Sequence, residues 1–139
     1  MLYRSLLFAP AIDAKKMTKA YNLDADGIIL DLEDAVAYSQ KDAARAQLIS
    51  FLSTPPEKPT FVRVNDAKTS FILADLQAVV DKNITGIFLA KTESAEEVRH
   101  VDWLLSLLEL QNNLPEKKIE LVPFLENTLG IEKAFEIAT

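Results

Sequence analysis

One ten-residue stretch constrains the fold more than any other, Gly27–Val36, reading Gly-Ile-Ile-Leu-Asp-Leu-Glu-Asp-Ala-Val. An apolar run of strand length ends abruptly in three carboxylates, Asp31, Glu33 and Asp34, and then returns to small apolar residues. A strand buried on both faces tolerates charge only at its end, so this run reads as an interior strand with a loaded C-terminal tip. Two other runs end similarly, in Arg63-Val64-Asn65 and in Phe124-Leu125-Glu126. Strand C-termini are where α/β folds carry their chemistry.

The rest of the chain supplies the alternation that such a fold needs. Leu2 to Ala9 reads as a first strand stopped by Pro10, and Asp13 caps a helix over Ala14 to Tyr21. Beyond the acidic strand, Gln40 to Leu52 is helical in pattern, with Ala44, Leu48, Ile49 and Leu52 on one face. Phe61–Asn65 is a third strand, and Ser70 to Val80 a helix with Leu73, Leu76, Val79 and Val80 inward. Gly86–Ala90 is a fourth strand. Ser94 with Glu97 three residues later forms a capping box for a helix from about Ala95 to Gln111, striped by Val98, Val101, Leu104, Leu105 and Leu108. Trp103 is expected in packed surroundings and His100 at or near the surface. Ile119 to Leu125 is a fifth strand, and Gly130 to Ala138 begins another helix.

Strand and helix thus alternate five times at about 25 to 30 residues per unit, the rhythm of right-handed βαβ crossovers in a parallel sheet. No linker or low-complexity tract divides the chain, so residues 1–139 are expected to lie in one domain. Two architectures fit: an open doubly wound sheet, or the first five units of an eightfold β/α barrel. Phosphoacceptor receiver domains of the first kind need an Asp after the third strand and a Lys after the fifth, but here those tips are Asn65 and Glu126. In a barrel, alternate residues point inward. Ile29, Asp31 and Glu33 then share a face, as do Phe61, Arg63 and Asn65, and Val122, Phe124 and Glu126. Arg63 and Glu126 would converge on one pocket, with Glu33 or Asp34 beside them.

Charge and composition exclude several function classes. Fifteen Lys and Arg against 21 Asp and Glu give a formal charge of -6, which disfavours non-specific nucleic-acid or anionic-membrane binding. There are no cysteines, hence no disulfides, thiolate metal sites or thiol nucleophile. The N-terminus lacks a secretory pattern and no apolar run approaches the roughly 18 residues that span a bilayer, so a cytoplasmic protein is expected. At the mouth, an inward arginine suits a carboxylate or carbonyl oxygen. Its alternative role is an ion pair with Asp31, Glu33 or Asp34, and the two are compatible. The carboxylate cluster calls for a counter-charge, either Arg63 or a divalent cation; hard oxygen ligands favour Mg²⁺.

These residues carry a family resemblance. Arg4-Ser5-Leu6-Leu7-Phe8-Ala9-Pro10, Ile29 to Val36, Lys41 with Ala44-Arg45, Val62-Arg63-Val64-Asn65, Leu89-Ala90-Lys91-Thr92-Glu93 and Leu125-Glu126 with Gly130 resemble the citrate lyase β-subunit family. That family lies within the HpcH/HpaI aldolase and malyl-CoA lyase group, and the resemblance runs through the whole chain in order. It implies a partial TIM (β/α)8 barrel, residues 1–139 being the N-terminal part of one barrel domain. The implied activity is Mg²⁺-dependent carbon–carbon cleavage of a 3-hydroxy acyl-CoA of citryl or malyl type into an acyl-CoA and a 2-oxo acid. Its partners would be an acyl-CoA or acyl-carrier thioester and a 2-oxo acid, with a homo-oligomer expected at full length.

By the same resemblance Arg63 is catalytic and substrate-binding, and Glu126 is both a substrate contact and a metal ligand. Glu33 and Asp34 are a catalytic carboxylate pair orienting water or Arg63. A second metal ligand, an Asp, is expected beyond residue 139, and Lys15 and Lys16 lie where the first loop and helix can meet CoA. Ala11 and Asn127 depart from the family's Gly and Thr or Ser. A complete barrel takes about 250 residues, so this chain by itself is expected to be inactive as an enzyme. The alternatives are a non-catalytic fragment that binds a thioester or a partner chain, and an aldolase acting on free 2-oxo acids.

Overall fold

The computed structural model describes residues 2–139. Five parallel strands alternate with helices in the order β1 (Leu6–Pro10), α1 (Ala14–Tyr21), β2 (Gly27–Asp31), α2 (Lys41–Leu52), β3 (Thr60–Val64), α3 (Ile72–Val79), β4 (Gly86–Leu89), α4 (Ala95–Gln111), β5 (Glu120–Pro123), α5 (Thr128–Glu132) and α6 (Ala134–Ile137). Every strand pairs with the next in sequence, giving sheet order β1-β2-β3-β4-β5. A doubly wound sheet would reverse direction at a switch point; a β/α barrel never does. The sheet therefore has the topology of five consecutive units of a (β/α)8 barrel.

Alternate strand residues feed two apolar layers. Ile28, Leu30, Val62, Val64, Ile87 and Leu89 face the helices and join the main core with Met17, Leu48, Leu76, Leu105 and their neighbours. Ile29, Phe61 and Phe88 face the other side, where Tyr3, Leu6, Val122 and Phe124 pack on them. The rings pack edge to face, Phe61 on Phe88 with centroids at 5.5 Å and Phe88 on Phe124 at 5.6 Å, the arrangement that ring quadrupoles favour. Strands β4 and β5 approach so closely at Gly86 that a Cβ there would lie 2.5 Å from the Glu120 carbonyl oxygen.

Several expectations are corrected. The first strand begins at Leu6, not Leu2, because the Arg4 and Ser5 amides donate to the Asp26 carboxylate at 2.7 and 3.1 Å, tying this segment to the turn before β2. Arg4 completes the clasp from its side chain and draws the Asp26 carboxyl down to about 2. Trp103 is 62% exposed; it lies about 200° round α4 from buried Val101, so the helix turns it outward whatever its size. Leu73 is half exposed because Asp75, two residues on, takes the inward position on the first turn of α3. Ile49 likewise stands outside the buried stripe of Ala44, Leu48 and Leu52. The last helix is two short ones, interrupted at Lys133.

The capping residues behave as read. Asp13 accepts from the Lys16 amide, and Ser94 from the Glu97 amide, while the Glu97 carboxylate returns to the Glu93 amide at 2.8 Å. A further carboxylate works where no motif announces it: Glu109, 2% exposed, accepts from the Ile119 amide at 2.7 Å and the Lys117 amide at 2.9 Å, fixing the loop that launches β5. Glu109→Ala strands two amides and should cost about 3 kcal/mol, read as a lowered urea midpoint, whereas a neutral outcome would mean that water replaces the carboxylate freely.

Candidate active site

Parallel register places Asp31 of β2 directly beside Arg63 of β3. Both lie on the face of the sheet that carries Ile29 and Phe61, and they form a two-pronged pair: Arg63 Nε donates to Asp31 Oδ1 and Nη2 to Oδ2, each at 2.8 Å. Asp31 also accepts from the Glu33 amide at 2.9 Å and the Ala35 amide at 3.0 Å, so one buried carboxylate shapes the loop after β2 and aims the arginine. The guanidinium sits over the Phe8 ring, 4.9 Å from its centroid. The bonds to Asp31 raise the Arg63 pKa against the opposing cost of burial.

Of the five guanidinium N–H groups, Asp31 engages two. Nη1 turns to the mouth, where it donates to Glu126 Oε1 at 3.2 Å and lies 3.6 Å from Glu33 Oε2. Glu126 comes from the loop after β5, and its other oxygen accepts from the Lys91 amide at 3.0 Å. Arg63, Glu126 and Glu33 are thus brought together, as the sequence reading expects. Asp34 stands at the rim with its side chain 63% exposed; its carboxylate meets Lys91 Nζ at 3.3 Å and its amide donates to Glu33 Oε2 at 3.0 Å.

The two neighbouring carboxyls differ in environment. Burial raises the Glu33 pKa; the Lys91 hydrogen bond opposes this and the adjacent Asp34 reinforces it. For Asp34 the desolvation cost is outweighed by hydrogen bonds to Glu33 and Lys91, and its pKa falls. Lys91 Nζ lies 2.6 Å from Glu33 Oε1, an ion pair that raises the ammonium pKa.

Asn65 is a correction. Instead of lining the mouth, its amide group donates to Asp75 Oδ2 at 2.6 Å and to the Leu32 carbonyl at 3.2 Å, on the helix-facing side. Val64 is the last residue of β3, so strict alternation ends before position 65. Asp75 is fully buried and also pairs with Arg45 at 2.7 Å. Lys41, buried under Tyr38 and Phe71, donates to the Leu32 and Glu33 carbonyls at 2.6 and 2.7 Å, and desolvation lowers its pKa. These groups pin the acidic loop from behind. Lys41, Arg45 and Asn65 fall within the motifs of the resemblance, none with this role, and nothing local in sequence marks Asp75.

The two departures from the family pattern are accommodated. Ala11 is buried, keeps an ordinary backbone and donates its amide to the Asp31 carbonyl at 3.0 Å. Asn127 caps α5 by accepting from the Gly130 amide at 2.9 Å and donates to Glu93 at 2.8 Å. At Gly130 a Cβ would meet the Thr92 carbonyl oxygen at 2.4 Å, which keeps the α5 cap close to the end of β4.

Among the described residues no three His, Cys, Asp or Glu side chains form a ready metal cluster. Mg²⁺ is commonly held by one or two carboxylates with substrate oxygens and water, and the hard, partly exposed Glu126 carboxylate fits as one such ligand. Lys15 and Lys16 lie exposed on the first turn of α1. No described helix is long and apolar enough to cross a membrane. Because Asp31 neutralises a buried arginine, Asp31→Asn should destabilise the chain by about 3 to 5 kcal/mol in urea unfolding; a loss under 1 kcal/mol would mean that Glu33 or Glu126 takes over.

Comparison with known proteins agrees with this fold. Residues 4–139 match the family described as HpcH/HpaI aldolase/citrate lyase. The citrate lyase subunit beta of Haemophilus influenzae is 35% identical over 99% of this chain and 48% of its own length. The human mitochondrial citramalyl-CoA lyase is 31% identical over 92% of this chain and 38% of its own. A solved citrate lyase beta subunit from M. tuberculosis, complexed with oxaloacetate and magnesium, superposes with a TM-score of 0.75 at 33% identity, covering 96% of this chain and 52% of that one. The chain spans about half the length, or less, of these relatives. With the matched segment covering nearly every residue, the chain belongs to the HpcH/HpaI aldolase/citrate lyase family.

Proposed function

We propose that residues 1–139 are the N-terminal part of a barrel domain whose activity is Mg²⁺-dependent carbon–carbon lysis of a 3-hydroxy acyl thioester of citryl or malyl type. The products are an acyl thioester and a 2-oxo acid, and the setting is the cytoplasm. The observation that carries this reading is the joining of Arg63 to Glu126 at the strand tips, with Asp31 fixing the guanidinium from behind. Such a site presents both an arginine fork and a hard carboxylate to one small oxygen-rich ligand.

In the cleavage direction the 3-hydroxyl gives its proton to water or a carboxylate at the mouth and becomes the carbonyl of the 2-oxo acid. The C2–C3 bond breaks with its electron pair passing to the thioester as an enolate, and the enolate takes up a proton at C2 to give the acyl thioester. Arg63 donates to substrate oxygen and polarises it, its aim set by the bonds to Asp31 before substrate arrives. Glu126 contacts the substrate and is a metal ligand. Bound there, Mg²⁺ would supply Lewis-acid stabilisation of oxygen on which negative charge develops. Glu33, buried beside Arg63, and Asp34 at the rim orient water at the mouth, while Asp31 orients the guanidinium. The Phe8, Phe88 and Phe124 rings give the cleft an apolar wall.

The test is release of a 2-oxo acid from citramalyl-CoA or malyl-CoA by a protein that carries residues 1–139 within the full-length barrel. Release should stop on chelation of Mg²⁺. Arg63→Lys, which keeps the charge but loses the fork, should lower kcat/KM by roughly 100-fold, and Glu126→Gln should raise the Mg²⁺ requirement at least tenfold. Cleavage indifferent to chelation and to both substitutions would overturn the assignment.

A further inference from the structure

Lys91 is given no role by the reading above, yet its backbone and side chain both serve the mouth. Its φ is 52°, and the other described non-glycine residues with positive φ, Asn113 and Lys117, lie in the loop between α4 and β5. Glycine adopts this conformation freely and a lysine does not, so the position sacrifices backbone ease for a side chain. The turn sends the Lys91 amide to Glu126 Oε2 at 3.0 Å while Nζ reaches back to Glu33 Oε1 at 2.6 Å and Asp34 Oδ1 at 3.3 Å. One residue thereby links the tip of β4 to the acidic loop after β2 and to Glu126.

Glu33 lies between two cations. Oε1 touches Lys91, and Oε2, which accepts from the Asp34 amide at 3.0 Å, stops 3.6 Å short of Arg63 Nη1. The Glu33 side chain is only 8% exposed, so without the ammonium its carboxylate would need a new partner. Arg63 is the nearest: a shift of less than about 1 Å would bring Oε2 into charge-assisted hydrogen-bond range. The arginine would then be bound by Asp31, Glu126 and Glu33 together, with little capacity left for a substrate oxygen.

We propose that Lys91 is a positioning residue whose ammonium holds the Glu33 carboxylate off Arg63, keeping the guanidinium available to the 2-oxo acid. This rests on the substrate-binding role assigned to Arg63 above. It separates two similar-looking ion pairs: Asp31 aims the arginine, and Lys91 stops a second acid from saturating it. The Lys91 side chain is 44% exposed, so its removal leaves the core untouched.

The test is the structure of Lys91→Met, with Lys91→Gly as a second variant that also relaxes the backbone, together with pyruvate binding by calorimetry in the presence of Mg²⁺. Glu33 Oε2 should move to within about 3.0 Å of Arg63 Nη1, and pyruvate affinity should fall about tenfold. Adding Glu33→Gln to Lys91→Met should recover most of that loss, a rescue that a merely structural lysine would not give. An unmoved Glu33 in both variants overturns the proposal, as does a loss of affinity that Glu33→Gln leaves uncorrected. If the unsubstituted protein binds no pyruvate, it is the lyase reading that fails, and the position of Glu33 in the variants still decides the role of Lys91.

Discussion

Everything at the mouth of this sheet depends on the buried pair between Asp31 and Arg63. A parallel register sets the two side by side at the ends of neighbouring strands, where Asp31 spends both oxygens on the guanidinium and accepts two loop amides as well. Burying two charges is costly, and only such complete satisfaction makes it tolerable. The return is direction: a guanidinium that cannot rotate offers its remaining N–H groups to one small volume, which Glu126 enters from β5.

Around that pair the charges alternate in sign. Asp31 meets Arg63, Arg63 meets Glu126 and approaches Glu33, and Glu33 meets Lys91, whose amide returns to Glu126. A second polar layer lies behind: Lys41 on two loop carbonyls, and Asn65 with Asp75 and Arg45 between β3 and the helices. The front layer has its polar atoms turned toward the cleft, whereas the rear layer turns them into the protein. Under the proposed function, that division separates groups that meet the substrate from groups that hold the scaffold.

The strand tips are legible in sequence because an apolar strand can place charge only at its ends, and period-two alternation puts Asp31 and Arg63 on one face. Glu126 joins them from the loop, three residues past the end of β5, so its convergence rests on the loop and not on strand alternation. The caps at Asp13 and Ser94 were legible because their partners lie three residues away. Asn65 departs from the alternation because β3 ends at Val64, and Trp103 faces outward because its angle round the helix, not its size, sets its direction. Glu109 and Asp75 gave no signal: their partners lie ten residues away or on other elements, and only the fold brings them together. Lys91 was visible as part of a motif, but the positive φ that reveals its double duty is a property of the backbone.

The central claim is that the mouth binds a 2-oxo acid through Arg63 together with a divalent cation on Glu126. Calorimetric titration of pyruvate into the full-length protein, with Mg²⁺ and then with chelator, tests it most directly. The account predicts saturable one-site binding that weakens at least tenfold when Mg²⁺ is withdrawn. Binding of equal strength in both conditions, or in neither, would contradict it.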